Sequence, residues 1–278
     1  MSFGSRAEAA IAAYGPACIG IDPHAALLEA WGLGDDLDGL ERFAATCVEA
    51  FAGHVGFVKP QSAFFERFGA RGVAVLERTL QDLRHTGTLT ILDVKRGDIG
   101  STAAAYAQAY LDEDSPMAAD AVTVTPYLGT GSLDPFFDVA ARHDAGVFVL
   151  ALTSNPEGPQ VQHARTADGT VAGEVLAHVR ELNAQARRDG AAGAELGPFG
   201  VVVGATIGGT EEDLDVGGPV LAPGFGSQGG TVEDLDRIFV GAVRRHVLPS
   251  TSRQVLAAGP DVAALREAAL AVNATCRR

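Results

Sequence analysis

Residues 88–102 decide the fold and the chemistry of this chain, because an apolar run there ends abruptly in charged residues. The stretch reads Thr-Leu-Thr-Ile-Leu-Asp-Val-Lys-Arg-Gly-Asp-Ile-Gly-Ser-Thr. Side chains alternate between the two faces of a strand, so Ile91, Asp93 and Lys95 are predicted to share one face. Asp98 follows a glycine turn, and the Asp-x-Lys-x-x-Asp pattern predicts one ammonium group near two carboxylates.

The surroundings of this pattern favour a functional site over a solvated group of surface ion pairs. Surface ion pairs contribute only about 0–1 kcal/mol. The residues before Asp93 are typical of a buried strand, and residues 101–106 are typical of the start of a helix. Strand, charged turn and helix in this order are how a (β/α)8 barrel presents catalytic groups.

The rest of the chain repeats this alternation of apolar runs with amphipathic or alanine-rich segments. Eight runs over 278 residues give about 35 residues per unit, the length of a βα repeat. We therefore predict an α/β fold, a TIM barrel that forms a single domain over residues 1–278. The predicted strands are Ala17–Asp22, Val55–Lys59, Leu89–Val94, Ala121–Thr125, Val147–Leu152, Gly200–Gly204, Pro219–Ala222 and His246–Leu248.

Hydroxyl and acidic residues predict where several helices begin. Thr210 and Thr231 each precede acidic residues after strands six and seven, a pattern typical of helix N-termini. A last helix is predicted from Asp261 to about Thr275. The long connection between strands five and six, an insertion at about 154–198, is predicted to hold a helix from about Val171 to Asp189 and to form a lid or binding loop.

Composition and charge narrow the classes of function. No apolar run approaches the roughly 20 residues of a membrane span, and the first residues lack a signal-peptide core, so we expect a cytoplasmic protein. The formal net charge of −14 disfavours binding to nucleic acid or to an anionic membrane. A small anionic substrate would need a local positive site, which directs attention to Lys59, Lys95 and Arg253.

The cysteines and histidines show no metal-ligand or disulfide pattern. Cys18, Cys47 and Cys276 lack Cys-x-x-Cys and Cys/His spacing, and an odd, sparse set argues against a disulfide framework. We expect Cys18 and Cys47 to be buried thiols. The seven histidines are not paired at ligand spacing, so we predict no metal site.

Polar or charged residues follow nearly every predicted strand, at the end where barrels keep their active sites. Two of these residues also have a purely structural interpretation. Asp22 is typical of a turn before proline, and Lys59 is typical of a lysine at a strand end whose amine reaches solvent. The glycine-rich loop 223–230 can surround a phosphate with backbone N–H groups, and Arg253 can bind phosphate through two hydrogen bonds. Together they match the usual phosphate site of a barrel.

At these residues the chain resembles the orotidine 5'-phosphate decarboxylases, whose signature is Asp-x-Lys-x-x-Asp, and most closely their longer, type 2 subgroup. The resemblance implies decarboxylation of orotidine 5'-phosphate to UMP in pyrimidine biosynthesis, with no cofactor. It implies that Lys95 stabilises and then protonates a carbanion at C6, while Asp93 and Asp98 keep that lysine charged and aimed. Lys59 is implied to contact the ribose and the neighbouring aspartate.

The resemblance also implies the substrate-binding residues and an obligate homodimer. Asp22 is implied to bind the ribose hydroxyls. Ser154, with Thr153 as the alternative, is implied to hydrogen-bond to the edge of the pyrimidine. The remaining substrate contacts fall on Pro223, Gln228, Ser252 and Arg253, and the residues sent into the partner's active site are Asp98, Ile99 and Thr102.

Two other functions stay open at this point. Magnesium-dependent sugar-phosphate decarboxylases and lyases of the same superfamily share the signature, but loop 223–230 and Ser154 favour a pyrimidine nucleotide. A non-catalytic nucleotide-binding homologue would bind UMP without releasing carbon dioxide. The intact set of charges disfavours that second alternative.

Overall fold

Eight parallel strands pair in chain order and close into a barrel, because the first strand also pairs with the last. This computed structural model describes residues 1–188 and 196–277. The predicted TIM barrel is confirmed. The strands are β1 (Cys18–Ile21), β2 (Phe57–Pro60), β3 (Leu89–Arg96), β4 (Ala121–Val124), β5 (Gly146–Leu152), β6 (Phe199–Val203), β7 (Val220–Pro223) and β8 (Val247–Thr251).

Helices surround the barrel and connect its strands. None of the helices in the described ranges combines the length and the apolar content that crossing a bilayer requires. Short 3-10 helices occupy Thr130–Leu133 and Gly241–His246. The α-helices are α1 (Phe3–Tyr14), α2 (Ala25–Ala30), α3 (Leu37–Phe51), α4 (Ser62–Glu66), α5 (Gly69–Arg84), α6 (Gly100–Leu111), α7 (Asp134–Arg142), α8 (Pro159–Gln162), α9 (Val171–Arg188), α10 (Val232–Ile238), α11 (Arg253–Leu256) and α12 (Val262–Cys276).

The core has two apolar layers. One fills the inside of the barrel with inward-facing strand residues such as Phe57, Leu89, Ile91 and Leu248, and the other lies between the strands and the helices. Burying a side chain of this size stabilises the fold by about 1.5–3 kcal/mol. The inner layer ends below the C-terminal ends of the strands, so polar side chains there have room to converge.

Helix α1 closes the opposite end of the barrel. The Phe3 ring is fully buried and meets the Phe148 ring edge-on, with ring centroids 5.9 Å apart. Arg6 forms an ion pair with Asp120, which also accepts hydrogen bonds from the backbone N–H and hydroxyl of Thr90. The N-terminal end of the barrel is therefore packed, and the C-terminal end carries the open cavity.

The prediction that a helix begins at Thr210 is wrong. The Thr210 hydroxyl accepts the Glu212 N–H at 3.1 Å, but the chain from Thr210 to Pro219 contains no helix. The cap has no apolar run of helical period behind it, and two glycines and a proline follow within ten residues. The Thr231 prediction is confirmed, because Thr231 and Asp234 form a capping box at the start of α10.

Other element boundaries differ by a few residues from the predictions. Strand β3 continues to Arg96 and β8 to Thr251. The last helix begins after Asp261, whose side chain accepts the Ala264 N–H as an N-cap. Helix α9 is described to Arg188, and the predicted end at Asp189 lies outside the described residues.

The predicted buried thiols are confirmed. Cys18 and Cys47 are both 0% exposed. Burial raises the pKa of the Cys18 thiol to about 12 and that of Cys47 well above its ordinary value. Neither thiol is therefore a nucleophile at neutral pH, since the thiolate is the reactive form.

Candidate active site

A cavity of about 440 Å³ opens at the C-terminal ends of the strands. It brings together residues from six strands and the loops that follow them, where barrel enzymes keep their active sites. Twelve positions were predicted as site residues, and nine of them line this cavity. These nine are Asp22, Lys59, Asp93, Lys95, Ser154, Pro223, Gln228, Ser252 and Arg253.

Asp93 lies between two lysines at the centre of the cavity. Lys95 Nζ donates to Asp93 Oδ1 at 2.6 Å, and Lys59 Nζ donates to Asp93 Oδ2 at 3.1 Å. Each carboxylate oxygen therefore accepts one ammonium group. Strand β2 supplies Lys59 from beside β3, so the barrel's own register creates the contact.

Lys59 and Lys95 are the only lysines in the 278-residue chain, which otherwise uses arginine for its cationic side chains. Arginine stays protonated in proteins, whereas a lysine ammonium can give up a proton. Both amines of the chain that suit proton transfer thus converge on one carboxylate. This scarcity of lysine is a signal in the sequence that the pattern-based prediction did not use.

Burial makes the charges of this cluster interdependent. Asp93 and Lys59 are 6% and 5% exposed. Burial alone would raise the pKa of Asp93, but the charges of Lys59 and Lys95 hold it well below its ordinary value. Burial alone would lower the pKa of Lys59, but the Asp93 and Asp22 carboxylates outweigh burial and raise that pKa. The pair is therefore ionised throughout the neutral range.

Lys95 is the accessible member of the cluster, with 45% of its side chain exposed. Its backbone has a φ of +48°, in the left-handed region, and the pairing of β3 with β4 shifts register between Leu92 and Arg96. A left-handed lysine costs on the order of 1 kcal/mol. Bulges of this kind redirect a side chain beside active sites, and here the ammonium returns to Asp93 after the strand has bent.

Two further polar residues contact the cluster and were not predicted from the sequence. Thr123 on β4 donates its hydroxyl to Asp93 Oδ1 at 2.7 Å and accepts the Lys95 N–H at 3.0 Å. Gln61, two residues after Lys59, lies 3.4 Å from Lys59 Nζ and donates to the Asp93 carbonyl at 3.3 Å. The i, i+2 spacing was the available signal for Gln61, whereas Thr123 lies in the middle of an apolar run.

Asp22 and Ser252 line the cavity together with Lys59. Asp22 Oδ1 is buried and has no hydrogen-bond partner in the described ranges 1–188 and 196–277. A buried carboxylate oxygen without a donor is costly. Because Asp22 also lines the cavity, this oxygen is placed to accept a hydrogen bond from a ligand.

Thr153 and Ser154 follow β5 and differ in the hydrogen bonds that their side chains form. The Thr153 hydroxyl donates to Asn155 at 2.6 Å and accepts from the Gln162 amide at 2.7 Å, and Gln162 also accepts the Thr153 N–H at 2.9 Å. These contacts use the hydrogen-bonding capacity of Thr153. Ser154 lines the same cavity, is exposed, and has no side-chain hydrogen bond in the described chain, so of these two hydroxyls it is the one available to a ligand.

The loop after β7 and the start of α11 form the β7 and β8 side of the cavity. Gly224, Gly226 and Gly229 all have φ between +79° and +99°, so the loop follows a path that glycine adopts readily. Arg253 is exposed at the first position of α11 and forms no ion pair within the described residues. Backbone N–H groups and a guanidinium group here suit a phosphate.

Asp98, Ile99 and Thr102 do not line this cavity. Asp98 Oδ1 accepts the N–H of Ile99 at 2.8 Å, and Ile99 is 62% exposed. Within one chain the Lys95 ammonium pairs with Asp93 alone among the described carboxylates. The arrangement with a second carboxylate therefore stays a prediction that requires another chain.

The charged cluster, the Ser154 hydroxyl and the Arg253 guanidinium group line one cavity. Among the described residues, no group of three or more histidine, cysteine, aspartate or glutamate side chains has the geometry of a metal site. The chemistry that these residues themselves offer is proton transfer and electrostatic stabilisation from Lys95.

Comparison with known proteins agrees with this geometry. The chain is 62% identical over 265 residues to an orotidine 5'-phosphate decarboxylase of Nocardioides sp., covering 94% of both chains. It is 61% identical over 278 residues to one of Salinispora tropica, covering 99% of this chain and 97% of the relative. The solved structure of a Leishmania donovani OMP decarboxylase, 28% identical, aligns with a TM-score of 0.72 over 99% of both chains. Residues 15–268 match the family described as orotidine 5'-phosphate decarboxylase / HUMPS, and the chain belongs to this family.

Proposed function

We propose that this protein decarboxylates orotidine 5'-phosphate to UMP and carbon dioxide, the step that completes UMP in pyrimidine biosynthesis. The observation that carries the proposal is the position of Asp93 between Lys59 and Lys95 in an open cavity. The relatives that share about three fifths of its residues are named for the same reaction.

Lys95 is the group that we assign to the chemical step. Loss of carbon dioxide leaves an electron pair on C6 of the pyrimidine, and no ring position can accept it as a conjugated π electron pair. A fixed ammonium group stabilises this charge as it develops and then donates a proton to C6. Because Lys95 is half exposed while Lys59 is buried, we assign Lys95 to the reacting carbon.

Asp93 and Lys59 prepare the site for this step. Asp93 holds the Lys95 ammonium in place, and its own negative charge faces the region that the substrate carboxylate enters. Lys59 and Asp22 lie on the β1 and β2 side of the cavity, where ammonium and carboxylate groups suit the ribose hydroxyls. The unpaired Asp22 oxygen supports this assignment.

The remaining contacts bind the two ends of the nucleotide. We assign Ser154 to the pyrimidine edge, because Thr153 is already bound to Gln162 and Asn155. We assign Pro223 and Gln228 to the pyrimidine and phosphate ends, with Ser252 and Arg253 at the phosphate. The phosphate lies far from the bond that breaks, so its binding energy serves to close the site around the substrate.

We propose that the active form is a cytoplasmic homodimer in which each chain completes the other's site. Asp98, Ile99 and Thr102 are the residues that would enter the partner's cavity. Their absence from the chain's own cavity and the exposed Ile99 side chain support this arrangement. In the dimer, the partner's Asp98 would supply the second carboxylate near Lys95.

A spectrophotometric assay tests the proposed function directly. Purified protein with orotidine 5'-phosphate should remove the orotate absorbance and produce UMP, and the activity should persist in EDTA. Activity that required magnesium and an open-chain sugar phosphate would instead identify a sugar-phosphate decarboxylase or lyase. UMP binding without turnover would identify a non-catalytic homologue.

A further inference from the structure

The Thr123 hydroxyl makes two hydrogen bonds to the catalytic cluster from a buried position on β4. It donates to the Asp93 carboxylate at 2.7 Å and accepts the backbone N–H of Lys95 at 3.0 Å. The side chain is 1% exposed and does not line the cavity. One oxygen atom thus connects the residue that holds the ammonium with the backbone that carries it.

The backbone of Lys95 needs such a restraint. Its φ of +48° is unfavourable for a side chain with a Cβ, and such a conformation persists only where the surroundings enforce it. The regular pairing with β4 is interrupted there and resumes at Arg96, whose carbonyl accepts the Thr125 N–H at 2.8 Å. In place of a strand partner, the Lys95 N–H finds the Thr123 hydroxyl.

The neighbouring arginine anchors the other side of the bulge. Arg96 forms an ion pair with Glu66 at 2.8 Å and lies over the Tyr106 ring, on the opposite side of the strand from Asp93. That anchor fixes where the strand goes after the bulge. It leaves the direction of the Lys95 side chain to the contacts of its own N–H and ammonium groups.

We propose that Thr123 is a positioning residue for the reaction assigned above, because its hydroxyl holds Lys95 in the left-handed conformation that directs the ammonium into the cavity. This inference rests on the proposed function for its kinetic consequence only. A hydroxyl group is required because it must donate to a carboxylate and accept an N–H at the same time. Valine has the same shape but can do neither.

The chain offers a matched control at the other end of the barrel. The Thr90 hydroxyl donates to Asp120 Oδ2 at 3.0 Å and accepts the Asp120 N–H at 3.1 Å, and Thr90 is also 1% exposed. Thr90→Val therefore removes the same two kinds of hydrogen bond from an equally buried threonine. Thr90 lies at the N-terminal end of the barrel, so the inner apolar layer separates this substitution from the cavity.

Steady-state kinetics on orotidine 5'-phosphate is the first test. We expect Thr123→Val to lower kcat on the order of 100-fold, the effect of a small displacement of a reacting group, while the affinity for UMP stays close to that of the wild type. Thr123→Ser should restore most of kcat, and Thr90→Val should keep it. A kcat for Thr123→Val equal to that of Thr90→Val would overturn the proposal.

A second readout does not depend on activity. Since the chain has only two lysines and Lys59 is 5% exposed, an amine-selective N-hydroxysuccinimide ester followed by peptide mass spectrometry reports on Lys95. We expect Thr123→Val to accelerate acylation of Lys95 as its ammonium leaves Asp93, and Thr90→Val to leave the rate unchanged. Equal rates in the two variants would refute the positioning role even if the wild type proved inactive on orotidine 5'-phosphate.

If Thr123→Val does not fold, Thr123→Ser and Thr123→Cys repeat the comparison. Both lack the methyl group, and they differ in the strength of the hydrogen bonds that they form. A cysteine variant with lower kcat and faster Lys95 acylation than the serine variant supports the proposal. Equal values in the two variants overturn it.

Discussion

The Lys95 ammonium group donates a hydrogen bond to Asp93 Oδ1 at 2.6 Å, two residues back along the same strand, while the Lys95 backbone lies in the left-handed region. In a regular strand, the side chains of residues two apart project in parallel from the same face. The bulge instead turns Lys95 back over Asp93 without covering it, so the amine stays available to a molecule in the cavity. Fixed orientation and access are the two properties that a proton donor needs.

Replacing Lys95 should separate catalysis from binding. Lys95→Ala removes the proposed proton donor, and loss of a general acid typically lowers kcat by roughly 100- to 10,000-fold. UMP carries hydrogen rather than carboxylate at C6, so its dissociation constant, measured by calorimetry, should change little. Arg78→Ala, which removes a cation from an exposed ion pair, is the control. Substantial turnover by Lys95→Ala would contradict the assigned role.

The contribution of the charged cluster to the free energy of unfolding should be lost at both low and high pH. The folded-state pKa of Asp93 lies below its ordinary value of 3.8, so its stabilisation is complete above that pH and is lost as the pH falls below it. Lys59 has a pKa above its ordinary 10.5, so its share is complete below pH 10.5 and is lost as the pH rises beyond it. Asp93→Asn should therefore lower the free energy of unfolding by about 3–5 kcal/mol at pH 7.

Urea denaturation of both proteins at several pH values checks this expectation. The difference between wild type and Asp93→Asn should be constant from about pH 5 to pH 9 and should shrink below about pH 4, because the Asp93 carboxylate is then protonated in the unfolded chain while the native carboxylate stays ionised. Glu41→Gln breaks the exposed ion pair with Arg78 and should change stability little at any of these pH values. A difference that grew as the pH fell would disprove the sign.

The barrel and most of its mouth were predictable because both follow local patterns. Apolar runs at regular intervals predicted eight strands, and the residues at the ends of those runs, together with the family resemblance, predicted nine of the cavity-lining residues. Barrel closure then brings residues from distant parts of the sequence to one edge. The wrong helix at Thr210 shows the limit, since a capping residue is informative only when an amphipathic run follows it.

Other features depend on tertiary contacts that a linear pattern does not contain. Thr123 is one of several β-branched residues in a short strand, and only the pairing of β3 with β4 places it at the bulge. The choice between Ser154 and Thr153 likewise rests on Gln162, which returns to Thr153 from the following helix α8. The left-handed conformation of Lys95 has no marker in a sequence where glycine would be the usual signal.

Replacing Arg253 should reduce the contribution of the substrate's phosphate group to kcat/KM. Hydrogen bonds to a charged group contribute about 1.5–3 kcal/mol, so Arg253→Ala should lower kcat/KM for orotidine 5'-phosphate by roughly 10- to 100-fold. Orotidine without its phosphate provides the control substrate, because its kcat/KM should be nearly the same in wild type and variant. An equal loss with both substrates would show that Arg253 acts on something other than the phosphate.

Phosphite extends this test of Arg253. If phosphate binding closes the site, free phosphite should accelerate turnover of the phosphate-free substrate by the wild-type protein. Arg253→Ala should largely lose this acceleration. Acceleration of equal size in both proteins would assign the phosphate contact to loop 223–230 alone.

Mixing two inactive chains should restore activity if the sites are shared between subunits. Lys95→Ala lacks the proton donor of its own site, and Asp98→Ala lacks the carboxylate that it would give to its partner. In a mixed dimer, the site that keeps its own Lys95 receives an intact Asp98 from the other chain, while the second site lacks both groups. Random pairing makes half of the dimers mixed, so co-expression should yield about a quarter of wild-type activity. As a control, analytical ultracentrifugation should show that each variant still forms a dimer. Activity no higher than the average of the separate variants would place Asp98 in its own chain's site or outside the reaction.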